Sequence, residues 1–143
     1  MDSIARRIVL TAKTMRAHFE AHLAAAGASL PYWLVLEQLV VDDGLSQRDL
    51  ARRLSLEAPT LTRHVDHMAA EGLLTRTPDT RDRRVTRISI TPEGRRLHER
   101  LMAVAQEREQ DLRSIITDRE AAVLERVLSR ISHHLEDADA AAG

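Results

Sequence analysis

Residues 76–94 read RTPDTRDRRVTRISITPEG, and this stretch decides what the rest of the chain is. Five arginines, Arg76, Arg81, Arg83, Arg84 and Arg87, crowd with Asp79 and Asp82 into its first dozen residues. Arg87, Ile88, Ser89 and Ile90 then alternate polar and apolar, the period of a strand with one buried face. Leu73 to Thr77, before the arginine loop, is strand-like too, so the loop is the tip of a hairpin between that run and Val85 to Thr91. Thr91 is a good helix cap and Pro92 a good first helical residue, so the hairpin leads into a long polar helix through about Ser114.

Upstream, LSQRDLARRLSLEAPTLTRHVDHMAAEGLL (residues 45–74) spells two short helices. Ser46 can cap the first, with Leu50, Ala51 and Leu54 inward; the second turns Leu61, Val65 and Met68 inward and stops at Gly72. Two short helices joined tightly make a helix-turn-helix, and the hairpin after them makes it winged. Further out, Ile4, Ile8, Ala12, Met15, Phe19 and Leu23 recur at steps of three and four, one helical stripe ended by Gly27. Tyr32 to Val41 is a second helix, apolar nearly all round and hence buried. TDRE at residues 117–120 has the capping-box pattern and opens a last helix striped by Leu124, Val127, Leu128, Ile131 and Leu135. There is no internal repeat, and only the DADAAAG tail is of low complexity. The expected fold is therefore mainly α with a small antiparallel β wing.

The 143 residues allow one well-buried core. Three aromatics, Phe19, Tyr32 and Trp33, leave aliphatic side chains and alanine to fill it. Net charge is −1, which by itself points to neither nucleic acid nor membrane, but the charge is unevenly spread. Residues 46–96 carry 11 basic and 7 acidic side chains, against 4 and 5 before them and 6 and 10 after. A basic middle between acidic ends suits a chain whose middle meets a polyanion. Absence of cysteine removes disulfides, thiol chemistry and sulfur-ligated metal. No signal-type stretch and no apolar run of membrane-spanning length is present, so a cytoplasmic location is expected.

On the second short helix, the inward set leaves Pro59, Arg63 and His67 on the opposite face with Thr60 and Thr62 at its margins. Hydroxyls and a guanidinium near a helix N-terminus are the chemistry that meets phosphates and base edges in a major groove; the bland alternative is a solvated helix face. A hairpin tipped with Arg81, Arg83 and Arg84 can reach the adjacent minor groove, where negative potential favours arginine. The carboxylates then have a purpose. Asp82, two residues before Arg84, can hydrogen-bond a guanidinium or backbone amides and hold the arginine extended, lowering the ordering cost of binding, and Asp79 can do likewise across the loop. Ser46 and Gln47, at the start of the first short helix, complete the candidate DNA-binding set.

DTRDRRVTRISITPEG (residues 79–94) resembles the wing of the MarR family of bacterial transcription regulators, and LARRLSLEAPTLTRHVDHMAAEGLLTR (residues 50–76) is similar to that family's helix-turn-helix. The resemblance covers essentially the whole chain. It implies a homodimer on a pseudo-palindromic operator, usually a repressor, released by a small amphipathic or phenolic ligand. In that reading Arg84 enters the minor groove, Asp82 braces it, and Thr60, Thr62 and Arg63 lie on the recognition helix. Residues 1–30 and 97–143 become dimerisation helices around a DNA-binding lobe at 31–96. Their apolar stripes close on a second copy, or are buried within one subunit. His64 and His67 either tune sequence preference or are plain surface histidines.

A ligand held between such helices and the lobe would meet His18, His22, Tyr32 or Trp33; alternatively Trp33 is simply core. His18 and His22 have metal-pair spacing, but no third ligand is evident, and neither metal nor cofactor is expected. No nucleophile elbow or phosphate-cradling glycine loop is present, so the chain is not expected to be an enzyme. A winged-helix protein-interaction module of the antirepressor kind, or a ligand-independent DNA-binding protein, are the competing functions.

Overall fold

The computed structural model describes residues 3–143. Six helices and three strands follow one another as α1 (Ile4–Ala25), α2 (Leu30–Val41), β1 (Leu45–Ser46), α3 (Gln47–Arg53), α4 (Ala58–Ala70), β2 (Leu74–Pro78), β3 (Thr86–Ile90), α5 (Pro92–Ser114) and α6 (Asp118–Ala142). The chain divides into two compact units, Met1–Ala105 and Gln106–Gly143, with α5 running from the first into the second.

In the first unit the core is aliphatic, as so few aromatics require. Leu23, Val35, Leu36, Leu39, Leu50, Leu61, Val65, Met68, Ile88 and Leu101 are fully buried. The inward set expected of α4 is complete, and α3 buries Leu50 and Ala51, with Leu54 half-buried. Complete burial is not the rule along α2. Val35, Leu36 and Leu39 are buried, but Val41 is 84% exposed because the helix ends there and Asp42 takes its C-terminal cap. Ser55 turns the chain between α3 and α4 with φ +52°, a left-handed conformation that a short serine side chain tolerates in so tight a connection.

The wing is one strand larger than the sequence suggests. Leu45 and Ser46 form β1, which pairs antiparallel with β3 through Leu45↔Ile88 and Ser46↔Arg87, giving the order β1–β3–β2. A two-residue strand carries no periodicity, so only pairing reveals it. Ser46 does two things there. Its backbone sits in the sheet while its hydroxyl accepts the Asp49 N–H at 3.0 Å and caps α3. On the other side β2 is an edge strand, which accommodates Pro78 opposite Thr86.

The start of α5 is fixed by Thr91 and Gly94. Thr91 Oγ1 accepts the Gly94 N–H at 3.0 Å and donates to the Gly72 carbonyl at 2.6 Å, tying the turn after α4 to the helix that follows the wing. A Cβ at Gly94 would lie 2.8 Å from Ile90 Cγ1 and closer still to the Leu73 carbonyl oxygen. Glycine is the residue that lets α5 begin against the sheet.

In the second unit, the capping box is present: Thr117 Oγ1 accepts the Glu120 N–H at 3.2 Å and Glu120 Oε2 accepts the Thr117 N–H at 2.8 Å. The Thr117 N–H and then the Thr117 hydroxyl, both donating to the Glu120 carboxylate, hold its pKa below the usual value. Arg113 joins Glu109 at 2.6 Å and Glu125 at 2.9 Å, linking the end of α5 to α6. α6 continues through the low-complexity tail to Ala142. No single helix among the described residues is long and apolar enough to cross a membrane.

Candidate nucleic-acid interface

The wing tip is built around two carboxylates with different tasks. Asp82 grips Arg84: Arg84 Nε donates to Oδ1 at 3.0 Å, a terminal guanidinium nitrogen donates to Oδ2 at 3.2 Å, and the Arg84 backbone N–H also reaches Oδ1 at 3.1 Å. The forked pairing fixes the plane of the guanidinium while its side chain remains 90% exposed. Arg84 is therefore ordered and accessible together. Its hydrogen bonds, first that of the side chain, lower the Asp82 carboxyl's pKa.

Asp79 likewise holds a guanidinium and backbone amides across the loop, as expected, but its arginine is Arg87 rather than Arg84. Its Oδ1 accepts Arg87 Nε–H at 2.9 Å, and its Oδ2 accepts the backbone N–H groups of Arg81 and Asp82, each at 3.1 Å. Its own N–H donates to the Val85 carbonyl at 2.8 Å. Only 17% of the Asp79 side chain is exposed, and its pKa is lowered chiefly by Arg87. Arg87 also donates to the Gly44 carbonyl at 3.4 Å. Which arginine it takes is not legible in the sequence, because Asp79 and Arg87 are eight residues apart on opposite sides of a bend.

Arg81 and Arg83 are exposed, and neither has a side-chain partner among the described residues. The same holds for Arg48 on α3 and Arg63 on α4, whereas Arg52, Arg53, Arg76 and Arg95 pair with Asp49, Asp42, Asp66 and Asp43. The basic middle of the chain thus contains a structural set of arginines and a free set.

Along α4, Pro59, Arg63 and His67 are exposed and Thr60 and Thr62 half-buried, as the wheel requires. Thr62 is partly spoken for: its hydroxyl donates to the Ala58 carbonyl at 2.9 Å and accepts from Gln47 Nε2 at 2.8 Å. Gln47 and Thr62 therefore hold α3 to α4. Ser46 is only 6% exposed with its hydroxyl in the cap, which makes it a support rather than a contact surface. His64 is half-buried, and its pKa is lowered first by burial and then by the nearby Arg63 and His67.

Of the candidate ligand residues, His18 and His22 lie with ring centroids 4.6 Å apart, and His22 Nδ1 is 2.8 Å from the His18 carbonyl. No group of three or more metal-ligating side chains is present among the described residues. Tyr32 donates its hydroxyl to Glu71 Oε1 at 3.1 Å, bridging the start of α2 and the end of α4; burial and then Glu71 raise its pKa. Trp33 packs edge-on against Phe19 with centroids 5.2 Å apart, at the border of the core. Among the described residues its buried indole N–H has no acceptor, and the buried Nε2 of His98 has no hydrogen-bond partner.

Residues 29–86 match the model of the MarR family. An uncharacterised HTH-type transcriptional regulator of Bacillus subtilis, YsmB, is 30% identical over 106 residues, covering 74% of this chain and 73% of that protein. Among solved structures, a mutant of Escherichia coli MarR complexed with operator DNA superposes with TM-score 0.81 at 22% identity, covering 90% of this chain and 92% of that one. The PcaV transcriptional regulator of Streptomyces coelicolor in complex with its natural ligand gives TM-score 0.72 at 26% identity, covering 91% and 89%.

Proposed function

Since the chain belongs to the MarR family of transcriptional regulators, which are not enzymes, we propose that it works as a homodimeric repressor. It binds a pseudo-palindromic operator and is released by a small aromatic acid or phenol. The observation that carries the DNA reading is the Asp82-braced Arg84, ordered yet 90% exposed, which lines one groove with Ala58 at the start of a helix whose exposed face bears Arg63 and His67. α4 enters a major groove and the wing the adjacent minor groove, with residues 31–96 as the DNA-binding lobe. This work is done in the cytoplasm, where a bacterial chromosome lies.

Two copies pair through residues 1–30 and 97–143. Support comes from the apolar side chains these segments leave in solvent: Ile4, Val9, Leu10 and Met15 on α1, and Val123, Leu124, Val127, Leu128 and Leu135 on α6. The ligand reading is supported by the buried indole N–H of Trp33, which has no acceptor among the described residues and which an acceptor on a bound molecule would satisfy. It is also in keeping with PcaV, a relative solved with its natural ligand.

Selecting bound fragments from the source genome, then titrating the best with salt and with salicylate-like acids, tests these points together. The expected result is preference for a two-fold-related site, affinity that falls steeply with salt, and release by an aromatic acid. Salt-insensitive binding, or none, would favour a protein-interaction module. Binding without release would leave a ligand-independent regulator.

A further inference from the structure

His18 and His22 stand one turn apart towards the C-terminal end of α1, their ring centroids 4.6 Å apart and their planes tilted by 57°. His18 is exposed and His22 half-buried. We propose that these two imidazoles hold one divalent transition-metal ion at adjacent positions of a square-planar or octahedral shell, which selects Ni²⁺ or Cu²⁺ over Zn²⁺. The site stands apart from the DNA reading and does not depend on it.

Spacing alone supplies two ligands and no third, and on that count no metal is expected of the sequence. The structure adds two facts. The first is the tautomer of His22. Its Nδ1 lies 2.8 Å from the His18 carbonyl oxygen, which can only accept, so Nδ1 carries the proton and the lone pair of the neutral ring is on Nε2. A metal-ligating imidazole is held in this way, its other ring N–H donated to a carbonyl. The second is distance. With a metal–nitrogen bond of about 2.1 Å and about 1.15 Å from nitrogen to ring centre, two imidazoles meeting one ion at a right angle have centroids about 4.6 Å apart, against about 5.3 Å at the tetrahedral angle of zinc. The observed separation is that of the right angle.

His133 shows what a lone imidazole lacks. Its Nδ1 is likewise 2.8 Å from a backbone carbonyl, that of Ser129, but it faces no second ring among the described residues. At the His18–His22 pair the rest of the shell falls to water, since no group of three or more His, Asp or Glu side chains comes together among the described residues, and Glu20 is engaged by Arg16 at 3.0 Å. An ion shared by the pair ties one turn of α1 to the next, beside Phe19 and Leu23, which pack that end of the helix on the core.

The test follows melting of the full-length protein with Ni²⁺, Cu²⁺ or Zn²⁺ added, beside His18→Gln, His22→Gln and, as a control, His133→Gln. Ni²⁺ at tenfold over its Kd should raise the melting temperature of the unaltered protein and of the control by about 2–4 °C. Cu²⁺ should act at lower concentration than Ni²⁺, and Zn²⁺ should give the smallest rise. Both α1 variants should lose the rise. Electron paramagnetic resonance of the Cu²⁺ form should show coupling to two imidazole nitrogens, reduced in either α1 variant; this readout uses the unaltered protein and holds even if a variant folds poorly. Absence of any metal-dependent rise overturns the site, as does a rise that survives either α1 substitution, since the ion then sits elsewhere. A zinc response larger than nickel's overturns the right-angle geometry and with it the proposal.

Discussion

The Asp79 carboxylate takes Arg87 Nε–H on one oxygen at 2.9 Å and two backbone N–H groups of the wing tip on the other. It joins a strand to the loop that strand emerges from. Asp79→Asn presents an NH2 to one of these donor sets and leaves it unsatisfied. Stability should fall, the amides of Arg81 and Asp82 should exchange hydrogen faster, and DNA affinity should drop because Arg84 is no longer delivered from a fixed loop.

Arg84→Ala should cost far more in DNA affinity than in stability. The side chain is 90% exposed, so melting should shift by no more than about 0.5 kcal/mol. Asp82→Asn should weaken binding less, since it removes the brace and keeps the finger. In the double variant the Asp82 change should have no additional effect, a non-additivity that a double-mutant cycle measures directly.

Gly94→Ala should destabilise the fold by about 1–3 kcal/mol through overpacking. The added methyl has the Leu73 carbonyl in its path as well as Ile90. Thermal unfolding checks this. An unchanged melting temperature would mean that α5 shifts freely on the sheet.

Acidification should weaken the fold through His64. Its folded-state pKa is lowered, chiefly by burial. The unfolded chain therefore takes up the proton first, so His64's contribution is complete above about pH 6.5 and is lost as pH falls through the folded value. His64→Gln should flatten the melting profile between about pH 7.5 and 5.5.

On α6, Leu128→Glu places a charge in a row of exposed apolar side chains, where Leu128 itself is 43% exposed. If that row is the dimer seam, sedimentation should show monomers and operator affinity should collapse, since one lobe alone grips half a site. A dimer of undiminished strength would move the seam elsewhere.

The elements with long periodicity were legible from the residues alone. The α4 core set, the span of α5 and the Thr117 capping box follow from spacing and cap chemistry that need no tertiary information. Asp82 and Arg84 were legible because two residues at a bend must be neighbours. What the sequence concealed depends on pairing across the fold. β1 is too short to have a period, Asp79 takes Arg87 on the far strand rather than a nearer arginine, and Thr62 is engaged by a glutamine fifteen residues away.

Ser46 is shared between the sheet and α3, its backbone opposite Arg87 and its hydroxyl beneath the helix. With Gln47 tying α3 to α4 at 2.8 Å, the spacing between α4 and the wing is that of one rigid piece. If the two are the DNA-reading elements proposed above, tolerance for longer or shorter operator spacers has to come from how two copies are yoked rather than from within one.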